Sequence, residues 1–505
     1  SVRRRIQGVV AQEEPAPSLG SRARAAGVLL LLGVFLVGVP VSQRIERHGV
    51  RIYESLWSHS HFTEVNGILL FHAFDMATFI RDQVFTPTPD EEELEMLGER
   101  LRERRSRREG PERSAPLFGV ARGASVITIQ LEAIQAHVLD LKMGGEEVTP
   151  VLNKLARESL NFERYYHQTA QGRTSDAEFS TLCSLCPLNS GSVFIRYPDA
   201  TRPCLPRLLA KEGYSATSYH GYFGSFWNRK RAYPSVGFQD YVSADTLDKG
   251  HDIGLGLSDE DFYDQIGPMV TASEEPFFAH VISLTSHHPF TMPEEHLDLD
   301  TGAFEGTPFE HYLASVRYAD KTMGSFLDEL DKEGLLDRSI LVIYGDHDMG
   351  YLAGAERAWE ELLGLDKSNR LDRLNIEKRV PMLIRLPGGE HARSLKGVSG
   401  MVDLAPTLLH LLGLTPVPHE MIGRNRLGDT PGLVTFRDGS VVTDETFFYA
   451  DRSGIIANGE CWSNADGKLL DVEDCAVAAQ AGLDHLTTSD HFIRHSDEYL
   501  PVLVP

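Results

Sequence analysis

The stretch that decides the fold is ASVITIQLE, residues 124–132, and it has a counterpart in SILVIYGDH, residues 339–347. Both are short apolar runs rich in β-branched side chains, which is typical of buried strands in a parallel sheet. Each run ends in side chains that can bind a cation: Glu132 in the first, Asp346 and His347 in the second. Because ligands bind outside the carboxyl ends of strands in open α/β sheets, these three side chains are predicted to meet.

A third segment, HQTAQGRTSDAEF at residues 167–179, places Thr174 at the start of a predicted helix. Ser175 and Glu178 have the spacing of a capping box, which marks a helix N-terminus. A threonine hydroxyl is a poor nucleophile unless a neighbouring base or cation lowers its pKa. A divalent cation would do so if the three strand-end side chains held it together with Thr174, and it would also polarise a phosphoryl or sulfuryl oxygen under attack.

The predicted ligand set contains three oxygens, one imidazole nitrogen and no thiolate, which suits Mn²⁺ or Mg²⁺, with Zn²⁺ as an alternative. Each part also has an ordinary interpretation when it is taken alone. A carboxylate after a strand is commonly a cap or turn residue, and Gly-Asp-His can be a tight turn. The joint occurrence of all three parts at the expected ends of their elements favours a site.

The order of the motifs resembles that of a known family. The segments are Leu131-Glu132, HQTAQGRTSDAEF at 167–179, HGYFGSFWNR at 220–229, SLTSHHPF at 283–290 and IYGDH at 343–347. Together they resemble the extracellular catalytic domain of the lipoteichoic acid synthase family over roughly residues 116–425.

This resemblance implies a fold and an activity. The expected fold is an α/β sandwich of the alkaline phosphatase and sulfatase type, built around a central, mostly parallel sheet. The implied activity is transfer of glycerol phosphate from phosphatidylglycerol to a growing polyglycerolphosphate chain. The resemblance makes Thr174 the covalent nucleophile and joins it to Glu132, Asp346 and His347 around one Mn²⁺.

The motif FWNR supplies candidate substrate-binding residues. Arg229 can bind phosphate oxygens through two parallel hydrogen bonds, while Trp227 offers the face of its ring. A structural tryptophan and a salt-bridged arginine are the alternative. By the resemblance, His220 aligns with a family histidine, with a structural role as its alternative. Tyr222 stands where the family carries an acidic residue that holds the glycerol head group, so the exact substrate stays open.

An adjacent histidine pair, His287 and His288, follows a strand-like run at residues 277–282. Neighbouring side chains on an extended strand point to opposite faces, so only one of the two is expected to enter the cleft. The resemblance selects His287, either to bind a phosphate oxygen or to protonate the diacylglycerol leaving oxygen. His288 is expected to be structural.

Composition and the N-terminus bear on partners and location. The chain has 505 residues and a formal net charge of −24, which argues against a nucleic-acid partner. Residues 25–41 form an uncharged apolar run at the short end of the range for a membrane-spanning helix. Arginines precede it, which predicts that its N-terminal side is cytoplasmic and the remainder extracellular. The resemblance makes this helix the last of a longer membrane domain, and a signal-peptide core is the alternative.

We expect four regions along the chain. Residues 1–45 would form a cytoplasmic tail and a transmembrane helix, and residues 46–115 would form linker helices. The catalytic domain would cover 116–425, and 426–505 would be a small, β-rich C-terminal subdomain. Within the linker, the charged stretch from Glu91 to Arg108 is predicted to be a solvated helix or flexible segment, with contact to anionic lipid as the alternative.

The cysteines bear on compartment and mechanism. There are five, and Cys461 with Cys475 is the expected disulfide in an extracellular protein, while Cys183, Cys186 and Cys204 compete for a second. The segment beginning at Cys204, Cys-Leu-Pro-Arg, only partly resembles the Cys-x-Pro-Ser-Arg signature that sulfatases convert to formylglycine. This departure favours direct attack by threonine.

The sequence therefore predicts a membrane-anchored, extracellular, metal-dependent glycerophosphotransferase. Phosphatidylglycerol would be the donor, and a polyglycerolphosphate chain or its glycolipid primer would be the acceptor. A phosphoethanolamine transferase, or a sulfatase or phosphodiesterase of the same superfamily, is the alternative. A non-catalytic domain that only binds the polymer is disfavoured because all four predicted ligands are intact.

Overall fold

The structure is a computed structural model. It describes residues 66–84, 91–110, 114–350, 355–366, 369–451 and 454–495, together with the single positions 27, 28, 32, 33, 63 and 352. Most of the predicted membrane span at 25–41 lies outside the described residues. Among the residues that are described, no helix is long and apolar enough to cross a membrane.

An eight-stranded sheet forms the centre of the molecule, in the order β8-β2-β7-β6-β1-β5-β3-β4. Its strands are β1 (Ser125–Leu131), β2 (Leu160–Tyr166), β3 (Ser215–His220), β4 (Asp240–Ser243), β5 (Phe277–Ile282), β6 (Ser339–Gly345), β7 (Met382–Arg385) and β8 (Arg393–Gly400). The two apolar runs identified in the sequence are the neighbouring central strands β1 and β6, which pair in parallel.

The sheet is mixed, and it is mostly parallel as expected. Every neighbouring pair is parallel except those of β7, which runs antiparallel to both β6 and β2. The chain reaches β7 from the carboxyl end of β6, and the Gly345 N–H donates to the Pro381 carbonyl there. Because the chain turns back at the edge where β6 ends, β7 must run in the opposite direction.

The helices of the described residues are α1 (Ile68–Val84), α2 (Glu91–Glu109), α3 (Pro150–Arg157), α4 (Arg173–Cys183), α5 (Val193–Arg196), α6 (Leu205–Lys211), α7 (Arg229–Val236), α8 (Asp259–Thr271), α9 (Pro308–Lys332), α10 (Ala355–Leu363), α11 (Arg370–Lys378), α12 (Leu404–Leu411) and α13 (Glu473–Arg494). Several of them cover the two faces of the central sheet. Alternate side chains of β1 enter opposite cores: Val126 packs with α4 and α12, whereas Ile127 and Ile129 pack with α8 and α9. The resulting layers are those of an α/β sandwich.

Short elements join these layers. Two hairpins pair Lys142–Met143 with Glu146–Glu147 and Asp252–Ile253 with Gly256–Leu257. Single 3₁₀ turns span Ala136–Val138, Phe226–Asn228, Glu294–His296, Gly302–Phe304, Pro387–Gly389, Met401–Asp403 and Ile456–Asn458.

A second, five-stranded antiparallel sheet lies in the C-terminal part of the chain. Its strands follow one another in sequence as β9 (Leu433–Thr435), β10 (Val441–Thr443), β11 (Thr446–Tyr449), β12 (Glu460–Ser463) and β13 (Leu469–Leu470). The α13 helix packs on it, with Cys475 and Ala479 in one core with Val441 and Phe448. A further core joins this sheet to the main domain through Tyr166 and Val398.

The charged stretch from Glu91 to Arg108 lies in α2, which is docked on the domain. Leu97 and Leu101 are buried in the main core, and Arg104 and Arg108 are buried as well. The prediction of a solvated or flexible segment is therefore wrong for this face of the helix. Its arginines are held by contacts that no local pattern in the sequence displays.

The cysteine prediction is confirmed for one pair and resolved for the other. Cys461 is bonded to Cys475, and Cys183 is bonded to Cys204, which leaves Cys186 as a buried free thiol. Because the Cys204 sulfur is in a disulfide, it is not available for conversion to formylglycine.

Candidate active site

The carboxyl ends of β1 and β6 place Glu132 beside Asp346. Leu131 pairs with Gly345 in the parallel ladder, and the Asp346 N–H donates to the Leu131 carbonyl over 3.1 Å. Asp346 Oδ1 accepts the Ala133 N–H at 2.8 Å, which fixes the carboxylate. The next residue, His347, turns its imidazole toward both carboxylates, with Nε2 3.4 Å from Glu132 Oε1 and 3.4 Å from Asp346 Oδ2.

Thr174 joins this group from the first turn of α4. Its Oγ1 donates to Glu132 Oε2 at 3.2 Å and lies 3.4 Å from His347 Nε2. All four side chains are buried, with Thr174 only 4% exposed. The structure therefore brings together all four of the metal ligands predicted from the sequence. We refer to Glu132, Thr174, Asp346 and His347 as the strand-end cluster.

The imidazole of His347 presents a lone pair to the cluster. Its Nδ1 lies 2.7 Å from the Asp348 carbonyl, so Nδ1 carries the proton and donates it there. Burial, together with the nearby Arg173 guanidinium, lowers the pKa of His347 well below its ordinary value. The ring is therefore neutral, and Nε2 is free to bind a cation.

The charges of the strand-end cluster are unbalanced without a cation. Burial raises the pKa of Glu132 to about 7, and burial together with the facing Glu132 raises the pKa of Asp346 well above its usual range. Asp346 Oδ2 is buried and accepts no hydrogen bond from any described residue. The potential ligand atoms of Glu132, Asp346 and His347 all lie within 4.8 Å of one another. This donor set fits one divalent cation, which would stabilise both charged carboxylates.

Arg229 differs from its predicted role. Its Nη2 donates to Glu178 Oε1 at 2.6 Å and its Nε to the same oxygen at 3.0 Å, and both side chains are fully buried. The Tyr233 hydroxyl also donates to Glu178. The Nε and Nη2 edge of the guanidinium is thus occupied. Nη1 is buried and has no hydrogen-bond partner among the described residues.

The same contact corrects the predicted capping box. The Glu178 side chain binds Arg229 instead of reaching back to the start of α4, and Gly172 at that start has no side-chain cap. Ser175 Oγ donates to the Gly172 carbonyl at 2.8 Å. A full positive charge attracts the carboxylate more strongly than a backbone N–H does.

The other residues of HGYFGSFWNR lie close to Arg229. Trp227 is buried, with a left-handed backbone at φ 53°, and its ring packs edge to face on Phe226 at 5.8 Å. It therefore does not offer an open ring face to a ligand. Tyr222 is half-buried and packs against Phe223 and Phe226 at 5.1 and 5.0 Å between ring centroids. The aromatic side chains form one continuous wall.

His220 is buried at the carboxyl end of β3. Its Nδ1 lies 3.2 Å from the Ile282 carbonyl, and its Nε2 has no hydrogen-bond partner among the described residues. Burial and the charge of Arg229 lower the pKa of His220 well below its usual value, so the ring is neutral. Its contact with Ile282 ties β3 to the segment that leads to His287.

His287 and His288 differ in exposure, but they lie in a turn beyond β5 and not on an extended strand, so the alternation argument does not apply to them. His287 is half-buried, whereas His288 is exposed. His287 Nδ1 lies 2.6 Å from the His288 carbonyl and donates to it, so Nε2 is the nitrogen left for chemistry. Burial lowers the pKa of His287.

Two groups of functional side chains were missed in the sequence. Arg173 Nη2 donates to Asp348 Oδ1 at 2.7 Å and to the Asp348 carbonyl at 2.8 Å, and it lies 3.0 Å from His347 Nδ1. Burial alone would raise the pKa of Asp348, but Arg173 and His167 hold it well below its usual range. Arg173 directly precedes Thr174, and Asp348 directly follows His347. This adjacency was the signal available in the sequence.

The second group holds the loop before α4. Asp176 Oδ2 accepts the N–H groups of Ala170 and Gly172 at 2.9 Å each, and burial raises the pKa of Asp176 to about 7. A side chain at Gly172 would collide with this carboxylate. Asp176 therefore holds the loop in a tight conformation at Gly172, two positions before Thr174.

Similarity to known proteins agrees with this geometry. Residues 124–414 match the sulfatase family. The chain is 37% identical to lipoteichoic acid synthase 1 of Bacillus subtilis over 337 residues, which are 65% of this chain and 52% of that protein. It is 35% identical to lipoteichoic acid synthase of Staphylococcus saprophyticus, covering 65% of this chain and 51% of that protein. The chain thus spans about half the length of these curated relatives.

A solved structure shares the fold over nearly its whole length. The lipoteichoic acid synthase LtaP from Listeria monocytogenes superposes with a TM-score of 0.72 at 27% sequence identity, covering 79% of this chain and 98% of that one. The resemblance inferred from the motifs and the α/β sandwich are both confirmed. With more than half of its residues matched, this chain belongs to the sulfatase family.

Proposed function

We propose that this chain is a glycerophosphotransferase that moves glycerol phosphate from phosphatidylglycerol to a hydroxyl of a polyglycerolphosphate chain or its glycolipid primer. The observation that carries the proposal is the position of Thr174. Its hydroxyl donates to Glu132 and contacts the neutral imidazole of His347, at the carboxyl ends of the neighbouring strands β1 and β6. A buried hydroxyl beside two ionisable carboxylates and an imidazole is equipped for nucleophilic attack.

Glu132, Asp346, His347 and Thr174 would hold one divalent cation, with Mn²⁺ favoured by the oxygen-rich donor set. When bound, the cation would lower the pKa of the Thr174 hydroxyl and polarise the phosphoryl group. The Asp348 carbonyl, which also accepts a hydrogen bond from Arg173, keeps the His347 ring in the orientation that this requires.

The reaction proceeds in two steps. His287 donates a proton in the first step and accepts one in the second. Thr174 gives its proton to Glu132, which accepts its hydrogen bond, and Thr174 Oγ1 attacks the phosphorus of the donor. The bond between phosphorus and the diacylglycerol oxygen breaks, and protonated His287 supplies the proton from Nε2 to that oxygen. An acceptor hydroxyl then attacks the phosphothreonine ester and gives its proton to the now neutral His287. The bond between phosphorus and Thr174 Oγ1 breaks, and Thr174 recovers its proton from Glu132. The cycle is a ping-pong reaction.

Substrate and compartment follow from the surroundings. Arg229 is engaged by Glu178, so its role toward the phosphate is limited to Nη1 and to holding the wall that carries Trp227 and Tyr222. Two disulfides suit an oxidising, extracellular compartment, as expected for a catalytic domain anchored to the outside of a membrane. A formylglycine-dependent sulfatase is disfavoured because Cys204 is disulfide-bonded.

The test uses phosphatidylglycerol with a fluorescent acyl chain and Mn²⁺. Wild type is expected to release diacylglycerol and to gain the mass of one glycerophosphoryl group on the peptide that contains Thr174. Thr174→Ala should abolish both signals. Thr322→Ala is the matched control, because Thr322 is also a buried helical threonine and bonds only to backbone carbonyls of its own helix. The proposal fails if Thr174→Ala releases diacylglycerol at the wild-type rate.

A further inference from the structure

A glutamine interrupts the apolar run of β1. Gln130 stands two positions before Glu132, and its side chain is fully buried. A buried amide is costly to the fold unless both its donor and its acceptor are hydrogen-bonded. The partners of this amide therefore decide whether the residue only fills the core or has a further role.

The Gln130 amide is bonded in two directions. Its Nε2 donates to the backbone carbonyl of Thr174 at 3.3 Å, and its Oε1 accepts the Tyr344 hydroxyl at 2.7 Å. A carbonyl oxygen only accepts hydrogen bonds, so the NH₂ group of the amide must face Thr174 and its oxygen must face Tyr344. The two partners thereby fix the orientation of the amide.

Tyr344 reaches the nucleophile helix at a second point. It lies directly opposite Gln130 in the parallel ladder between β1 and β6. Its hydroxyl oxygen is 3.1 Å from Thr181 Oγ1 in α4. Thr174 and Thr181 are seven residues apart and therefore lie on one face of the helix. Gln130 and Tyr344 thus contact α4 at its first turn and again two turns later, and we call these two residues the sheet pair.

The two strands of the sheet pair also carry cation ligands. Glu132 follows Gln130 by two positions, and Asp346 follows Tyr344 by two positions. Neighbouring central strands are a rigid support for a site. The distance of 3.2 Å between Thr174 Oγ1 and Glu132 Oε2 is therefore set at both ends by the same pair of strands.

The start of α4 has a backbone that needs support. Arg173, directly before Thr174, is left-handed with φ 44°, and Gly172 supplies no side-chain cap. A non-glycine residue persists in this conformation only where the surrounding structure fixes it. Asp176 holds the loop on one side of Arg173, and the Gln130 amide holds the Thr174 carbonyl on the other.

We propose that the sheet pair positions the nucleophile: it holds Thr174 Oγ1 against Glu132 and the cation site. Gln130 and Tyr344 are 0% and 1% exposed, so neither meets the substrate. The inference rests on the proposed function, because it gives the pair a task in the attack by Thr174. A displacement of about 1 Å at a reacting group can lower a rate about 100-fold. The expected signature is therefore a lower kcat at an unchanged KM.

Gln130→Met tests the contact with Thr174, because methionine has a similar length but cannot donate to the carbonyl. The assay is diacylglycerol release from fluorescent phosphatidylglycerol with Mn²⁺. The kcat should fall about tenfold while KM stays at the wild-type value, since one buried hydrogen bond to the backbone of the nucleophile is lost. Wild-type kcat in this variant, or a loss that appears in KM, would overturn the positioning role.

Tyr344→Phe removes a single oxygen and keeps the proposal testable if Gln130→Met does not fold. It leaves Gln130 Oε1 without its donor and should lower kcat about threefold. Tyr214→Phe is the matched control with wild-type kcat, because Tyr214 is a buried tyrosine that bonds the Ala124 carbonyl before the opposite end of β1. The double variant of the sheet pair should lose less than the product of the two single effects, since Tyr344 acts through the amide. A full product would overturn the assignment of the two residues to one chain of hydrogen bonds.

Amide hydrogen exchange in EDTA supplies a readout that does not depend on activity. Gln130→Met should speed exchange in the first turn of α4 by at least about threefold, because the turn is no longer tied to β1. Tyr214→Phe should leave that turn at the wild-type rate. If wild type releases no diacylglycerol, the proposed function fails while exchange still reports on the contact. Unchanged exchange in Gln130→Met would show that the sheet pair does not hold the start of α4.

Discussion

Two buried groups of charged side chains each include a residue of α4, and they differ in charge balance. In the strand-end cluster, Glu132 and Asp346 face a neutral imidazole and a hydroxyl, and Asp346 Oδ2 accepts no hydrogen bond from the described residues. In the second group, Glu178 is bonded to the guanidinium of Arg229 and to the hydroxyl of Tyr233. We call this second group the Glu178 pair.

The difference separates a binding site from a structural contact. Both groups are taken out of water, which is costly for any charge that remains unpaired. The Glu178 pair compensates this cost internally, so it needs no ligand. The strand-end cluster holds two buried carboxyl groups with raised pKa values, and a bound cation would stabilise both in their charged form. Unbalanced buried charge is therefore the better indicator of function in this molecule.

Asp346→Asn should have the largest effect. Removal of one negative ligand is expected to abolish tight Mn²⁺ binding and to lower diacylglycerol release by about 10⁴-fold, since the cation supplies several kcal/mol of stabilisation. In EDTA, Asp346→Asn should be more stable than wild type, because the amide relieves the repulsion between two buried carboxyls. Calorimetry with Mn²⁺ and urea unfolding with and without EDTA measure these effects.

Asp337→Asn is the matched control for this change. Asp337 is exposed and lies just before the opposite end of β6. It should leave Mn²⁺ affinity and transfer unchanged. If Asp346→Asn binds Mn²⁺ as tightly as wild type, the strand-end cluster is not the cation site.

Glu178→Ala tests the other side of the comparison. It leaves the buried Arg229 charge without its partner and should lower the free energy of unfolding by about 3 to 5 kcal/mol. Mn²⁺ affinity should be retained, because Glu178 is not a ligand. The double variant Glu178→Gln with Arg229→Met should lose much less stability than the two single variants combined. A fully additive loss would show that the two side chains do not act as a pair.

Sequence reasoning reached the strand-end cluster because its signals are local. β-branched runs mark β1 and β6, and a carboxylate that follows a parallel strand has a defined place at the edge of the sheet. The partner of Arg229 could not be found this way. Glu178 lies 51 positions away on another helix, and its Ser-x-x-Glu spacing fits a capping box equally well.

The direction of β7 and the docking of α2 could not be predicted from the sequence for a related reason. The apolar run of β7 has the same period whichever way it runs, and only the return of the chain at the end of β6 makes it antiparallel. The arginines of α2 have the composition of a solvated helix. Their burial depends on the segment after α12 and on α13, which are far away in the sequence.

Asp259 offers a smaller test, because it is a buried carboxylate with neither a cation site nor an arginine. It accepts the N–H groups of Leu284 and Thr285 at 2.7 and 3.1 Å and so anchors the segment that leads to His287. Burial raises the pKa of Asp259 to about 6. A carboxyl with a raised pKa in the folded protein stabilises the fold below pH about 4, and this contribution of about 3 kcal/mol is lost as the pH rises to about 6.

Asp259→Asn should therefore flatten the dependence of unfolding free energy on pH between 4 and 6, as measured by urea unfolding in EDTA. Asp261→Asn is the control on the same helix. Burial would raise the pKa of Asp261, but hydrogen bonds from His251 and Ser258 lower it, so this variant should remove a trend of opposite sign. Identical pH profiles for wild type and Asp259→Asn would contradict the assigned pKa.

The smallest predicted effect concerns the histidine pair. His287→Gln should lower diacylglycerol release by about 100-fold, because it removes the proton donor but neither the nucleophile nor the cation ligands. His288→Gln should match wild type, since His288 is exposed. A donor with a nitrophenolate leaving group separates the roles, because its departure needs no proton. It should restore the rate of His287→Gln and leave Thr174→Ala inactive, and failure to restore that rate would show that His287 binds phosphate instead of moving a proton.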